Sequence, residues 1–270
     1  MSDKEKILDP VHKEHIKELL FQLADDDFLF SYRGSEWLGL APHIEEDIAF
    51  SSISQDTMGH AAMYYELIAN LESRTADELA HLRPSHERRN CILVERVNGE
   101  GFYKDTPKYD WAYAVVRNYF YTLAKNIKID SLTQSSYEPL VDIARKVKME
   151  LYYHLLHWRT WFVQLLSATD EAKQRMKEAI GKVEKDLGDL FSCGEKAEKI
   201  YELKLIEDEE TLKERWMQEM EKVCRSLQIP LPNIPNKYSL NGRNGEHTEE
   251  IESALVTLSE VYRLDTNTAW

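Results

Sequence analysis

An all-α fold, a ferritin-like four-helix bundle with a long crossover between its second and third helices, is what the sequence predicts. Three observations carry that expectation. Glycine and proline are scarce, ten and eight in 270 residues, which suits long helices and argues against many turns. Apolar residues recur at intervals of three and four through most of the chain. Four such stretches exceed twenty residues, and a long irregular segment separates the second from the third, the arrangement of a bundle with one long crossover.

The first helix is expected from about His12 to Trp37, with a face of Ile16, Leu20, Leu23, Asp27 and Phe30, and "LGLAP" breaks it at Gly39 and Pro42. The second runs from about Ile44 to Leu71, on the face Phe50, Ile53, Thr57, His60, Tyr64, Leu67, Leu71. "LRPSHERRNCILVERVNGEGFYKDTPKYD" reads as the crossover, with a turn at Asn98-Gly99. The third helix covers Trp111 to Leu132. The fourth covers Tyr137 to Ala168, on the face Leu140, Val147, Leu151, His154, Trp158, Leu165. Helical segments follow at Glu171–Phe191, Glu207–Leu227 and Thr248–Arg263, and "IPLPNIPNKYSLNGRNGEH" is non-helical. The chain is expected to form a single domain over 1–270, with the bundle at 12–168 and a helical extension at 169–270. No internal repeat is visible.

A formal net charge of −14 disfavours a nucleic-acid partner, which requires a basic surface. No apolar run approaches the ~18 residues of a membrane span, and "MSDKEKILDPVHKEH" has no apolar signal core. Cys91, Cys193 and Cys224 are sparse and widely spaced, as expected of structural thiols in a reducing compartment. A cytoplasmic protein is the expectation. There is no G-x-S-x-G elbow, and "GRNGEH" lacks the strand and lysine of a phosphate loop.

The stretch with chemical interest is "ISQDTMGHAAMYYEL", Ile53 to Leu67. A di-iron bundle takes one carboxylate from each of two helices and Glu-x-x-His from each of the other two. Residues three apart share a helix face, so that Glu and His grip one metal. His60 and His154 stand at the inner faces of the second and fourth helices, but Thr57 and Leu151 occupy the glutamate positions. Thr122 falls at the carboxylate position of the third helix, and Asp27 at that of the first. Two ferrous ions bring four positive charges. With Asp27 alone roughly three stay uncompensated, at several kcal/mol per ion in a poorly hydrated core. The frame of a di-iron site is present without its ligands, and no metal is expected in this chain.

Two other readings stand beside that one. Inward-facing histidines are ordinarily hydrogen-bonded core residues. Alternatively, His60, His154 and Asp27 form a two-His-one-carboxylate set suited to mononuclear ferrous iron. Glu150, four residues before His154, is expected to salt-bridge it. "YDWAYAVVRNYFYTL" and "HWRTWF" read as core or interface packing, because aromatics and Arg are favoured at contacts between subunits. Self-association is left open.

"SEWLGLAPHIEEDIAFSSISQDTMGHA" (Ser35–Ala61), "RRNCILVERVNGEGF" (Arg88–Phe102), "RNYF" (Arg117–Phe120), "GEHTEEIESALVTLSEVYRL" (Gly245–Leu264) and the terminal Trp270 together resemble the phenylacetyl-CoA epoxidase family, on the side of its non-catalytic structural subunits. The tail departs from the family's Pro-Gly turn, reading "DTNTAW". The resemblance implies a ferritin-like member of a multicomponent monooxygenase in phenylacetate catabolism. The di-iron centre would lie in a catalytic partner, fed with electrons by an NADPH-dependent reductase, and no catalytic residue carries over to this chain. The aromatic face of the third and fourth helices and "NGEHTEE" (Asn244–Glu250) are the candidate partner contacts.

Overall fold

The computed structural model describes residues 9–266 and 268, so the expectations for the N-terminal eight residues and for Trp270 lie outside the described residues. The fold is all-α. In chain order it contains α1 (Pro10–Ser35), α2 (Ile44–Ala69), α3 (Ala76–His81), α4 (Ile92–Glu95), a two-stranded antiparallel ribbon β1 (Gly99–Glu100) and β2 (Lys108–Tyr109), α5 (Trp111–Leu132), α6 (Glu138–Ser167), α7 (Asp170–Val183), α8 (Ala197–Glu202), α9 (Glu209–Leu227) and α10 (Glu250–Ser259).

Local chemistry sets most of the ends. Pro10 opens α1, where its missing N–H costs no hydrogen bond. Thr75 and Glu78 form a capping box on α3. The side chains of Asp110, Thr169 and Asp208 accept from the first free N–H groups of α5, α7 and α9. The four long helices lie within two residues of their expected bounds.

The long helices form two antiparallel hairpins. Lys17 of α1 pairs with Glu72 just beyond α2 (2.5 Å), and Phe50 of α2 stacks near Trp37 just beyond α1. In the second hairpin Lys148 of α6 pairs with Asp130 of α5, while Trp111 and Trp161 meet at the other end. Trp37 also meets Trp111 at 5.3 Å, so α5 begins at the end of the bundle where α2 begins. Residues 70–110 must therefore run back along the whole bundle, which makes α2 and α5 parallel. At Gly34, a Cβ would run into the Ser54 hydroxyl, so glycine sets the spacing of α1 against α2.

The centre of α1 is enclosed on every side. Every residue from Gln22 to Gly34 is buried, because α2, α4, α8 and α10 pack against α1 and Tyr121 and Lys125 of α5 reach it from the remaining side. Three consecutive carboxylates sit in this stretch. Asp25 accepts from Arg83, Arg88 (3.2 Å), the Tyr65 hydroxyl (2.6 Å) and the Arg89 N–H (2.9 Å). Burial pushes its pKa up, but the two guanidinium groups outweigh that and hold it below the usual carboxylate value. Asp26 receives a two-pronged contact from Arg243 (2.9 and 2.8 Å) and the Cys91 N–H (2.7 Å). Asp27 faces α5.

Three expectations need correction. Asn98 is not a surface turn residue. It is buried, accepting from Trp37 and Arg117 and donating to Arg33 and Glu36, while the ribbon turns later, between β1 and β2. The helix expected through Phe191 ends at Val183, because buried Asp189 must turn inward to accept the Ile92 (3.1 Å) and Gly242 (2.9 Å) N–H groups. Only part of each expected contact surface is free: Tyr152 and Tyr153 on α6 and Asn244, Glu246 and Glu249 in 244–250 are exposed, and the rest is wholly or partly covered. Tyr113, Tyr119, Phe120 and Tyr121 of α5 are buried, and His247 lies inside against Glu95 (2.7 Å). The three cysteines are free and buried.

Removing one member of a buried ion pair strands the other. Arg243→Ala should lower unfolding stability by about 3–5 kcal/mol, whereas Arg243→Met combined with Asp26→Leu should lose clearly less. Urea denaturation midpoints separate the two outcomes.

Candidate functional site

The six positions singled out in the sequence all lie in the interior of the bundle: Asp27, Thr57, His60, Thr122, Leu151 and His154 are each less than 5 % exposed. Thr57 turns its hydroxyl back to the Ile53 carbonyl (2.7 Å) and offers nothing to the centre. Leu151 is part of the apolar core. Thr122 is buried on α5, but the α5 side chain that reaches the centre is Lys125, three residues further on.

Lys125 organises the site. Its Nζ lies 2.8 Å from Asp27 Oδ2 and 2.8 Å from His60 Nδ1. Tyr121, one turn earlier on α5, donates to Asp27 Oδ1 at 3.0 Å. An ammonium donates and cannot accept, so His60 Nδ1 is the acceptor and its hydrogen sits on Nε2. That N–H donates to Glu150 Oε2 at 2.6 Å. The result is a continuous chain, Tyr121–Asp27–Lys125–His60–Glu150, from the core to a half-exposed carboxylate on α6. Both ring nitrogens of His60 are engaged.

Glu150 therefore pairs across helices with His60, not with His154 four residues along its own helix. His154 turns the other way and pairs with Asp56 of α2 at 3.0 Å. The two contacts cross between α2 and α6: each helix supplies one histidine and one carboxylate, with the imidazole rings 6.2 Å apart. The reason is packing between helices: His60 of α2 lies against α6 at the level of Glu150, and His154 lies against Asp56 of α2.

Burial, then the Lys125 charge, then His154 press the His60 pKa far below its ordinary value. Burial lowers His154 as well, against the pull of Asp56. Both imidazoles are neutral. Burial raises Asp27 and lowers Lys125, each opposed by the other's charge.

The donor set does not fit a di-iron centre. Its one inner carboxylate is neutralised by an ammonium, its histidine on α2 has no free lone pair, and Thr57, Thr122 and Leu151 offer no carboxylate. Among the described residues no three His, Cys, Asp or Glu side chains converge to hold a metal. What the arrangement can do is tie four helices together: Asp27 from α1, His60 from α2, Lys125 from α5 and Glu150 from α6.

Sequence reasoning found Asp27, His60 and His154 but missed Lys125 and Asp56. Lysine in mid-helix reads as a surface residue. Its one signal was its place within an apolar run, one turn from Tyr121 and two helical turns from Arg117.

Comparisons with known proteins identify the family. The family model described as phenylacetic acid catabolic protein matches residues 1–270. The chain belongs to that family. It is similar to one of the subunits of the 1,2-phenylacetyl-CoA epoxidase of Escherichia coli (strain K12), with 29 % identity over 252 residues, 92 % of this chain and 96 % of the relative. No helix among the described residues is long and apolar enough to cross a membrane.

Two measurements check the site. Lys125→Met should destabilise the protein by about 3–5 kcal/mol, because it leaves Asp27 buried without a cation, and adding Asp27→Leu should recover much of the loss. The histidines set the acid limit. Below pH ~6.5 the unfolded chain protonates His60 and His154 while the folded protein does not, so the unfolded state binds more protons and stability falls as pH falls. Each contributes up to about 1.4 kcal/mol per pH unit. His60→Asn should flatten the stability profile below pH ~6.5 in chemical denaturation.

Proposed function

We propose that the chain is the non-catalytic structural subunit of a multicomponent phenylacetyl-CoA 1,2-epoxidase in aerobic phenylacetate catabolism. In this reading it is one ferritin-like domain, acts in the cytoplasm and binds a catalytic subunit that holds the di-iron centre. The assembly includes further subunits, among them an NADPH-dependent reductase. Family membership supports the pathway, and the name of the Escherichia coli relative supports the place in an epoxidase with several subunits. The parallel course of α2 and α5 around one long crossover supports the ferritin-like assignment.

The observation that carries the non-catalytic role is the Lys125 ammonium between Asp27 and His60. A protonated lysine supplies, inside the chain, one of the positive charges that a metal would bring. Two of its hydrogens go to Asp27 Oδ2 and His60 Nδ1, acceptors a metal would need. The rival mononuclear site built on His60, His154 and Asp27 meets the same obstacle. Both of its α1 and α2 ligands already face Lys125, and His154 is turned to Asp56.

Co-expression with the candidate catalytic subunit in iron-rich medium tests the reading. Iron should follow the catalytic chain in the purified complex, and NADPH- and O2-dependent turnover of phenylacetyl-CoA should require both chains plus the reductase. Stoichiometric iron in this chain purified alone, lost in His60→Ala, would instead establish an oxygenase in its own right.

A further inference from the structure

The flanks of the bundle are unequal. The crossover, α8 and α10 lie against α1, and α7 and α9 lie against α5. Between α2 and α6, by contrast, a cavity of about 340 Å³ opens to the surface. Ala49 and Ile53 from α2 and Tyr153 and His157 from α6 line it, with Asp56 and Glu150 in its wall. Tyr153 in its lining is exposed, and further exposed apolar side chains stand on the same two helices. Ile48 on α2 and Met149, Tyr152, Tyr153 and Leu156 on α6 are each more than half exposed. Exposed apolar side chains on two adjacent helices beside an open groove are a feature of protein contacts. Small residues on the outer side of α2 leave space for close approach: Ser52 is exposed, and a Cβ added at Gly59 would meet nothing within 4 Å.

The carboxylates decide the occupant. Asp56 and Glu150 are 41 % and 49 % exposed, and each is held from within by a histidine N–H. Those histidines are neutral, so neither carboxylate has its charge cancelled by the residue that positions it. They also repel each other: burial and the neighbouring Asp56 both raise Glu150. Because the imidazole nitrogens facing them carry hydrogens, a metal finds no nitrogen lone pair there. A donor with positive charge fits the gap.

We propose that the α2–α6 face is the docking surface for a helix of a partner protein, and that a Lys or Arg side chain from that helix enters between Asp56 and Glu150. The proposal rests on the structural-subunit reading for the identity of the partner, the catalytic subunit, and adds where and how that partner is held. A second copy of this chain is the poorer occupant. It carries the same net charge of −14 and would bring its own acidic pair to the contact.

The Lys125 chain gives the face its geometry. Glu150 is fixed through His60 and Lys125 to Asp27, so the acidic pair is set before the partner arrives. Preorganisation of this kind reduces the ordering cost of association.

The test is the affinity of the purified chain for the separately purified di-iron catalytic subunit, measured at low and high salt. Four variants are needed: Gly59→Trp, the double change Asp56→Asn with Glu150→Gln, Tyr153→Ala, and Glu221→Lys on the exposed side of α9 as a control. Circular dichroism confirms folding, and Gly59→Trp projects into open space, so it blocks only a docked partner. The first three should each weaken binding tenfold or more. The double variant should also lose most of the salt dependence, and Glu221→Lys should bind as the parent does. Undiminished binding by Gly59→Trp and by the double variant, with the parent binding well, would overturn the docking face and leave the structural-subunit reading intact. No binding by the parent would overturn that reading itself. Self-association of the parent that Gly59→Trp abolishes would overturn the choice of occupant in favour of a second copy.

Discussion

Three consecutive carboxylates buried at the centre of one helix are the constraint on which the rest of the structure depends. Successive residues on a helix point about 100° apart, so Asp25, Asp26 and Asp27 cannot share a partner. Each must be met from a different direction, since an unpaired buried charge costs several kcal/mol. Arg83 and Arg88 come from the crossover, Arg243 from the irregular segment after α9, and Lys125 from α5. The crossover and the C-terminal segment are therefore held to the bundle by charge as well as by apolar packing. This explains why a long non-helical stretch such as 229–247 ends in a fixed geometry at Gly242–Asn244.

The same constraint shapes the interior of the bundle. A carboxylate at Asp27 next to a histidine at His60 would suit a cation, and the chain supplies one covalently. Lys125 satisfies Asp27 and fixes the His60 tautomer, and the tautomer in turn orients Glu150 at the surface. An internal ammonium has a consequence that a metal does not: it is always present, so the centre is complete without loading. In the structural role proposed above, that independence would keep the shape of the chain from varying with iron supply.

Much of this was legible along the chain. The 3.6-residue periodicity located α1, α2, α5 and α6 closely, since each is long enough for packing and propensity to agree. Pro10, Thr75, Asp110 and Asp208 mark helix starts by side-chain chemistry that acts within a few residues. The short α3, α4 and α8 were not visible, because helices of four to six residues carry too little periodicity and depend on the packing around them. Asn98 followed by glycine resembles a surface turn; its burial arises from Trp37, Arg33 and Arg117, each far away in sequence. For α1 and α5 the one-sided apolar face expected of a bundle helix was too narrow, because further elements cover their outer sides.

By itself the sequence determined the helical class, the order of the long helices, that Thr57, Leu151 and Thr122 carry no carboxylate, and the family to which the chain belongs. Those properties follow from residue identity and from spacing within one helix. Only the tertiary structure decided that Lys125 fills the centre, that Glu150 pairs with His60 and Asp56 with His154, and that the outer face of α2 and α6 is open. These depend on the rotation of one helix against another. Helical phase fixes which residues share a face, but the partner a buried charge finds is set by packing between helices that are distant in the chain.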